Sequence, residues 1–290
     1  MISGGDTVTA ARIALSAAFR GAGLDSPAAD ARVLIQHTLG LTHAALVADG
    51  ARVLTAGEAV AVNAAASRRL AQEPVAYIVG EKEFWGLELT VTSATLIPRP
   101  DTETLVQAVL DALGPRANEH LQIADLGTGS GAILIALLHS LPDAEGIGID
   151  VSFGAVSVAR ANAARHALAA RSAFAVGDLV DALDARPTFD VIVSNPPYIE
   201  SGTIADLSPG VRMYEPVGAL DGGMDGLTFY RRVVREGAAL LKAGGVLGVE
   251  IGAGQADAVS GLFAGAGWQP AARPARDLEG HVRALLFVHE

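Results

Sequence analysis

The chain has 290 residues, half of them apolar, with a formal charge of −11 and no cysteine. That length suits one large domain or two smaller ones with a sizeable core. Disulfides and thiolate metal sites are excluded, a cytoplasmic protein is the expectation, and the acidic balance argues against broad nucleic-acid binding, which needs clustered Lys and Arg. No signal peptide is recognisable, and no apolar run approaches the roughly 18 residues that span a bilayer.

Residues 7–73 read as helices only. Thr7 or Thr9 suits the cap of a first helix over 10–22. Pro27, after Asp25-Ser26, opens a second over 28–39, where Ala31, Leu34, Ile35 and Leu39 recur at helical spacing and Gly40 ends it. A third covers 55–71, with Arg68 and Arg69 near its end. His37 and His43 are expected to be structural or surface residues. Pro74 breaks the helical region. Residues 75–79, Gly80 and 83–92 then read as a hairpin with Tyr77, Phe84, Trp85, Leu87, Leu89 and Val91 as its apolar content. Ile97-Pro98-Arg99-Pro100 is stiff. Asp101-Thr102-Glu103 places acids in the first turn of a helix reaching about residue 113, which reads as ordinary helix initiation.

From 121 onward strand and helix alternate. Strands are predicted at 121–126, 146–150, 172–176, 189–194, 244–251 and 282–288, and helices at 131–140, 153–168, 228–242 and 254–265. Such alternation indicates a mostly parallel sheet covered on both faces. The first strand runs into Gly127-Thr128-Gly129-Ser130-Gly131, and a helix follows. A glycine-rich turn there lets a ligand approach the backbone at a helix N-terminus. The next strand ends in Asp150, whose carboxylate can accept both hydroxyl protons of a ribose. Asp178 follows the third strand, where it can accept from an adenine amino group while Leu179 packs on the ring.

These features fit any nucleoside-containing cofactor, a nicotinamide dinucleotide included. Two details favour S-adenosylmethionine. Asp125, two residues before the loop, suits a cationic ammonium better than a pyrophosphate. The strand 189–194 ends in Asn195-Pro196-Pro197-Tyr198, which has no evident use in hydride transfer. Two prolines have no N–H for a ladder, so the strand stops with an Asn amide before a stiff segment and an aromatic ring after it. That arrangement suits a flat amide or amine, either a glutamine side chain or an adenine on a flipped base.

Asp125-Leu126-Gly127-Thr128-Gly129-Ser130-Gly131 with Asn195-Pro196-Pro197-Tyr198 resembles the S-adenosylmethionine-dependent amino-methyltransferases. Pro74-Val75-Ala76-Tyr77-Ile78-Val79-Gly80, Glu83-Phe84-Trp85-Gly86-Leu87 and Ile97-Pro98-Arg99-Pro100-Asp101-Thr102-Glu103 narrow the resemblance to the HemK/PrmC family of protein-glutamine methyltransferases. Glu215-Pro216, Asp221-Gly222-Gly223-Met224-Asp225-Gly226-Leu227, Phe229-Tyr230-Arg231, Glu250-Ile251-Gly252 with Gln255, and Asp277-Leu278 agree with it. The resemblance runs from about residue 28 to the C-terminus.

It implies an α/β protein, with a seven-stranded, Rossmann-like S-adenosylmethionine-dependent methyltransferase domain at 97–290, an all-helical N-terminal domain at 1–73 that docks the substrate, and a β-hairpin linker at 74–96. The implied reaction methylates the side-chain amide nitrogen of the glutamine in the Gly-Gly-Gln loop of class I peptide chain release factors. Glutamine in a ribosomal protein and adenine in nucleic acid are the alternatives. The expected cofactor residues are Asp125, Gly127, Thr128, Gly129, Ser130, Gly131, Asp150, Asp178, Leu179 and Asn195. Asn195, Pro196, Pro197 and Tyr198 are expected to hold the glutamine. Among them Asn195, Pro196 and Tyr198 carry the chemistry: two acceptors for the amide hydrogens and a ring against the amide plane. Some members have a large aromatic where Leu179 stands, so adenine stacking there is expected to be weaker. A monomer with no metal, no membrane contact and no direct nucleic-acid contact completes the expectation.

Overall fold

The computed structural model describes residues 2–289. The chain divides into two compact units. One is the chain up to Gly80 together with Ser208–Tyr214, and the other is Glu81–Leu207 with the chain from Glu215 onward.

The first unit is helical, with helices Val8–Gly21, Pro27–Leu39, His43–Ala48, Ala56–Leu70, Val75–Val79 and Pro209–Tyr214. Their apolar stripes meet in a core that includes Leu15, Phe19, Leu34, Ile35, Val62 and Ile78. Thr7 caps the first helix, its Oγ1 accepting the Ala10 N–H at 3.1 Å. Thr55 and Glu58 form a reciprocal capping box, each side chain accepting the other's backbone N–H at 3.2 and 2.9 Å. The Tyr214 hydroxyl donates to the Ala71 carbonyl at 2.8 Å, which ties Ser208–Tyr214 into this unit.

One local expectation fails here. Residues 75–79 form a short helix, not a strand. Their β-branched content suggests a strand, but Pro74 starts a turn and Gly80, at φ 80°, closes it by donating to the Ala76 carbonyl at 2.8 Å. Ile78 then packs into the helical core. The helix His43–Ala48 has only six residues, too few to show a period in the sequence.

The second unit opens with a hairpin, β1 (Glu81–Phe84) and β2 (Leu87–Thr90). Its two turn residues, Trp85 at φ 55° and Gly86 at φ 72°, are both left-handed, which matches the twist of paired strands. A tryptophan rarely accepts that conformation. Here its N–H donates to Glu103 Oε1 at 2.8 Å and its indole to Ser140 Oγ at 3.0 Å.

The main sheet comprises β3 (Gln122–Leu126), β4 (Glu145–Asp150), β5 (Ser172–Val176), β6 (Phe189–Ser194), β7 (Leu241–Glu250), β8 (Trp268–Pro270), β9 (Ala275–Arg276) and β10 (Val282–His289). Seven of them lie in a row, β5-β4-β3-β6-β7-β10-β8, and β9 pairs with β10 outside it. Strands β3 to β7 run parallel, and β10 is antiparallel to each strand it meets. Helix Thr228–Gly237 is shorter than the predicted 228–242, because Leu241 already pairs with Phe189 in the β6–β7 ladder.

All six residues of β6 are buried, as a strand covered on both faces requires. Val191 and Val193 pack with helices Glu103–Leu113, Ala132–Ser140 and Phe153–Arg165, while Ile192 faces the opposite layer of Tyr230, Val233, Val259 and Phe263. The strand order reverses at β3: β4 and β5 lie to one side and β6 to the other. Adjacent chains leave the carboxyl ends of β3 and β6 in opposite directions and open a crevice between them, the usual ligand site of such sheets.

One buried side chain braces that crevice from behind. Asn162 is fully buried; its Oδ1 accepts the Thr90 N–H at 2.8 Å, and its Nδ2 donates to the Thr90 and Ser130 carbonyls, both at 2.9 Å. Asn162→Ala strands those backbone groups, so it is expected to lower unfolding stability in urea by about 2–4 kcal/mol. A loss below about 0.5 kcal/mol would show that the brace carries no weight.

Candidate active site

A cavity of about 470 Å³ lies at the carboxyl ends of β3, β4, β5 and β6, entirely within the second unit. From the glycine loop, Gly127, Thr128, Gly129 and Ser130 line it. Asp150 comes from the end of β4, Asp178 and Leu179 from the end of β5, and Asn195, Pro196 and Pro197 from the end of β6. Residues from four different strand ends thus share one hollow.

The loop takes its shape from three glycines at positive φ: Gly127 at 76°, Gly129 at 56° and Gly131 at 82°. Its backbone donors are mostly used inside the protein. Gly127 and Thr128 both donate to the Ile149 carbonyl, at 2.8 and 2.9 Å, Gly129 donates to Asp150 Oδ2 at 2.9 Å, and Gly131 donates to the Thr128 carbonyl at 2.8 Å. A pyrophosphate would find few of its usual N–H partners there. The guanidinium groups along the wall are paired as well: Arg99 with Glu215 at 2.5 Å and Arg232 with Asp178 at 2.6 Å. Asp150 Oδ1 accepts the Ser152 N–H at 2.9 Å, so each of its oxygens holds one backbone donor and keeps a lone pair for another.

At the end of β6 the ladder stops and other atoms take over. Asn195 Nδ2 donates to Thr102 Oγ1 at 3.3 Å. Gln255 Nε2 donates to the Tyr198 carbonyl at 3.0 Å, while its Oε1 accepts the Gly252 N–H at 3.0 Å. Ile199 donates to the Leu220 carbonyl at 3.0 Å, and Gly222 donates back to the Ile199 carbonyl at 2.8 Å. Gly222 and Gly226 are needed for this approach: a Cβ would fall 2.8 Å from the Pro197 carbonyl oxygen at the first and 2.4 Å from the Tyr198 carbonyl oxygen at the second.

The PrmC N-terminal domain family matches residues 10–80, and the methyltransferase small domain family matches residues 101–208. A release factor glutamine methyltransferase of Bradyrhizobium diazoefficiens is 46% identical over 97% of this chain and 94% of its own length. Another, of Rhodospirillum rubrum, is 49% identical over 91% of this chain and 80% of its own. The chain belongs to the release factor glutamine methyltransferase family. Among solved structures, the hMettl16 catalytic domain in complex with a MAT2A 3'UTR hairpin matches at a TM-score of 0.56 and 16% identity, over 83% of this chain and 85% of that one. A methyltransferase from Pyrococcus furiosus matches at 0.50 and 17%, over 70% and 88%. These two similarities concern the fold alone.

Within this methyltransferase, three of the expected site residues lie outside the cavity wall. Asp125 is fully buried beneath the loop, where its Oδ2 accepts the Thr128 hydroxyl at 2.7 Å. Gly131 turns the chain into helix Ala132–Ser140. Tyr198 points its hydroxyl toward Glu250 Oε1 at 3.4 Å instead of lining the hollow, and Gly252, where a Cβ would fall 3.1 Å from the ring, leaves room for it there. Conversely, Thr95, Leu96, Pro98, Arg99 and Thr102 line the cavity, and so do Pro216, Phe229 and Arg232. Helix initiation accounts for 97–103 in the sequence without any ligand, so nothing there signals a wall. Among the described residues no group of acidic and histidine side chains is arranged to hold a metal ion, and no helix is long and apolar enough to cross a membrane.

Burial pushes the Asp125 carboxyl up to about 7, against the opposing Thr128 hydrogen bond, and the neighbouring Asp150 charge adds to the rise. Its Oδ1 meets no hydrogen-bond partner. A carboxyl whose pKa is higher folded than unfolded holds its proton longer in the native state, so its charge costs more stability as pH climbs from about 4 to 7. Asp125→Asn removes that charge and keeps an acceptor for Thr128. Its stability relative to the parent is therefore expected to rise between pH 5 and pH 8 by about 1–3 kcal/mol in denaturant titrations. A difference that does not change with pH would rule out a buried titrating Asp125.

Proposed function

We propose that this protein transfers a methyl group from S-adenosylmethionine to the side-chain amide nitrogen of the glutamine in the Gly-Gly-Gln segment of class I peptide chain release factors. The orientation of Asn195 carries this reading. With Nδ2 giving one of its hydrogens to Thr102, the Oδ1 lone pairs are the side chain's acceptor for a ligand. The names of the relatives, release factor glutamine methyltransferase, support the same substrate.

The residues present fit S-adenosylmethionine better than a dinucleotide, since the loop N–H groups are used internally and the wall carries Asp150 and Asp178. Bound there, it supplies an electrophilic methyl on a sulfonium. In this reading Gly127, Thr128, Gly129 and Ser130 let it lie against the backbone. Asp150 accepts from the ribose hydroxyls, Asp178 accepts from the adenine amine, and Leu179 packs on the ring. Asp125 acts from beneath the loop, through Thr128.

An amide nitrogen is a weak nucleophile, because its lone pair is delocalised into the carbonyl. No His, Lys or Cys stands within the 195–198 motif or beside it in the chain to remove its proton first. The protein's share of the catalysis is then placement and electrostatics. Asn195 Oδ1 and the Pro196 carbonyl each accept one hydrogen of the glutamine NH₂. Both bonds strengthen as positive charge develops on that nitrogen, which gives up one of the two hydrogens to solvent as its bond to the methyl forms and the methyl–sulfur bond breaks, leaving S-adenosylhomocysteine. Pro197 stiffens the segment, and Tyr198 holds it from behind through Glu250 and Gln255. The helical unit docks the release factor in this scheme.

Transfer of labelled methyl to a release factor, with the target glutamine replaced as control, tests the reading. Asn195→Ala is expected to lower kcat by about a thousandfold or more, with S-adenosylmethionine affinity changed by less than about tenfold. Near-normal turnover in that variant, or label on the glutamine-free control, refutes the assignment. A chain beginning at Glu81 is expected to keep cofactor affinity and lose release-factor affinity. Unchanged affinity for the release factor would remove the docking role.

A further inference from the structure

Beyond the end of β5, Asp178 and Leu179 line the cavity. Leu179 sits at φ 54°, a left-handed conformation that a leucine rarely adopts, and it is only 6% exposed. Its apolar surface is committed to the layer that holds Ile192, Val233 and Phe263. Little of it is left for the flat face of an adenine.

Helix Thr228–Gly237 supplies the rest of that wall. Its Tyr230, Val233 and Val234 are buried in the layer that covers the sheet. Phe229 and Arg232, three positions apart and so neighbours on the helix surface, both line the cavity. Among the described residues Phe229 alone brings an aromatic ring to that wall. Arg232 reaches across to Asp178: one terminal nitrogen of its guanidinium donates to Asp178 Oδ1 at 2.6 Å and the other to the Asp178 carbonyl at 3.5 Å. Its Nε donates to Glu236 Oε1 at 3.4 Å, one turn further along the helix. Asp178 is thus held at one carboxylate oxygen and at its own backbone, and Oδ2 keeps its lone pairs for a ligand.

We propose that this helix face forms the adenine seat of the site: Phe229 supplies the aromatic surface that the ring packs against, and Arg232 is a positioning residue that fixes Asp178 so that its Oδ2 receives the adenine amine. The proposal rests on the reading in which the Asp178 end of the cavity holds the adenine of S-adenosylmethionine. Its consequence is selectivity. An adenine amine donates to the carboxylate, whereas a hypoxanthine carbonyl at the same position meets lone pairs with lone pairs. A carboxylate free to swing away loses that distinction. A seat without Phe229 loses affinity for both bases alike.

The test is calorimetric titration of the full chain with S-adenosylhomocysteine and with S-inosylhomocysteine, in which a carbonyl replaces the amine. Thermal unfolding without ligand checks the folding of each variant. The parent is expected to bind the adenine compound about tenfold more tightly or better. Phe229→Ala is expected to weaken both compounds by about 5- to 100-fold and to keep their ratio, and Phe229→Tyr to stay within about threefold of the parent, because the ring is kept. Arg232→Gln is expected to reduce the ratio by about fivefold or more. Phe229→Ala with both Kd values within about twofold of the parent overturns the packing role, and Arg232→Gln with the parental ratio overturns the positioning role. Asp178→Ala separates these failures from failure of the reading beneath them. If it abolishes the ratio while the helix variants behave as the parent, adenine sits at Asp178 and only the proposal falls. If Asp178→Ala keeps the parental ratio, or the parent shows no preference, both fall. If Phe229→Ala does not fold, Phe229→Leu decides, with an expected loss of about three- to tenfold for both compounds.

Discussion

The end of β6 governs how this protein is built around its cavity. Pro196 and Pro197 have no N–H, so the ladder that pairs Ser194 with Leu126 on one side and Val249 on the other goes no further. Every polar group beyond that point needs a partner from elsewhere. The Ser194 hydroxyl turns back to the Leu126 carbonyl at 2.7 Å, Gln255 reaches the Tyr198 carbonyl, and the 220–222 stretch supplies a miniature ladder for Ile199. The loops after β6 and β7 take their shapes from this one interruption. Their glycines at 222 and 226 are the positions where two backbones come too close for a side chain.

Polar burial is concentrated in the same place. Asp125, Thr128, Ser194, Glu215 and Glu250 are all buried near the carboxyl end of the sheet, and Asp125 and Glu250 each keep one oxygen without a hydrogen-bond partner. Burial also pushes the Glu250 carboxyl up to about 7. Such groups destabilise a fold, and the apolar layers on the two faces of the sheet offset them. In exchange the atoms facing the cavity are held by directional bonds: Thr128 over Asp125, and Asn195 against Thr102. On the proposed mechanism, in which placement does the work, that rigidity matters more than a strong base.

Much of the fold was legible because it rests on short-range regularities. Apolar runs of strand length alternating with helical periods marked β3 to β7 and β10, and glycines at 127, 129 and 131 marked the turn that only positive φ permits. Where the local signal was brief it misled. Val75–Val79 has strand-like residues in a helical turn, and the three-residue β8 and two-residue β9 left no pattern to find. The site shows the same division. Gly127, Asp150, Asp178 and Asn195 were recognisable from standing at strand ends, whereas Thr102 was masked by an adequate local explanation as part of a helix start.

By itself the sequence determined where strands must end, which turns require glycine, and that an amide followed by two prolines stands at one of those ends. These are properties of covalent geometry and of the chain within a few residues, and they hold in any tertiary setting. Only the tertiary structure decided which way each polar group faces. Asp125 and Tyr198 share their segments with cavity residues yet turn to Thr128 and Glu250, because hydrogen-bond partners 3 and 52 positions away along the chain lie on that side. The direction of Asn195 was settled in the same way, by a hydroxyl 93 residues earlier in the chain. Orientation depends on donors and acceptors brought together by the fold, and for Tyr198 and Asn195 the two ends of the bond lie far apart in the sequence.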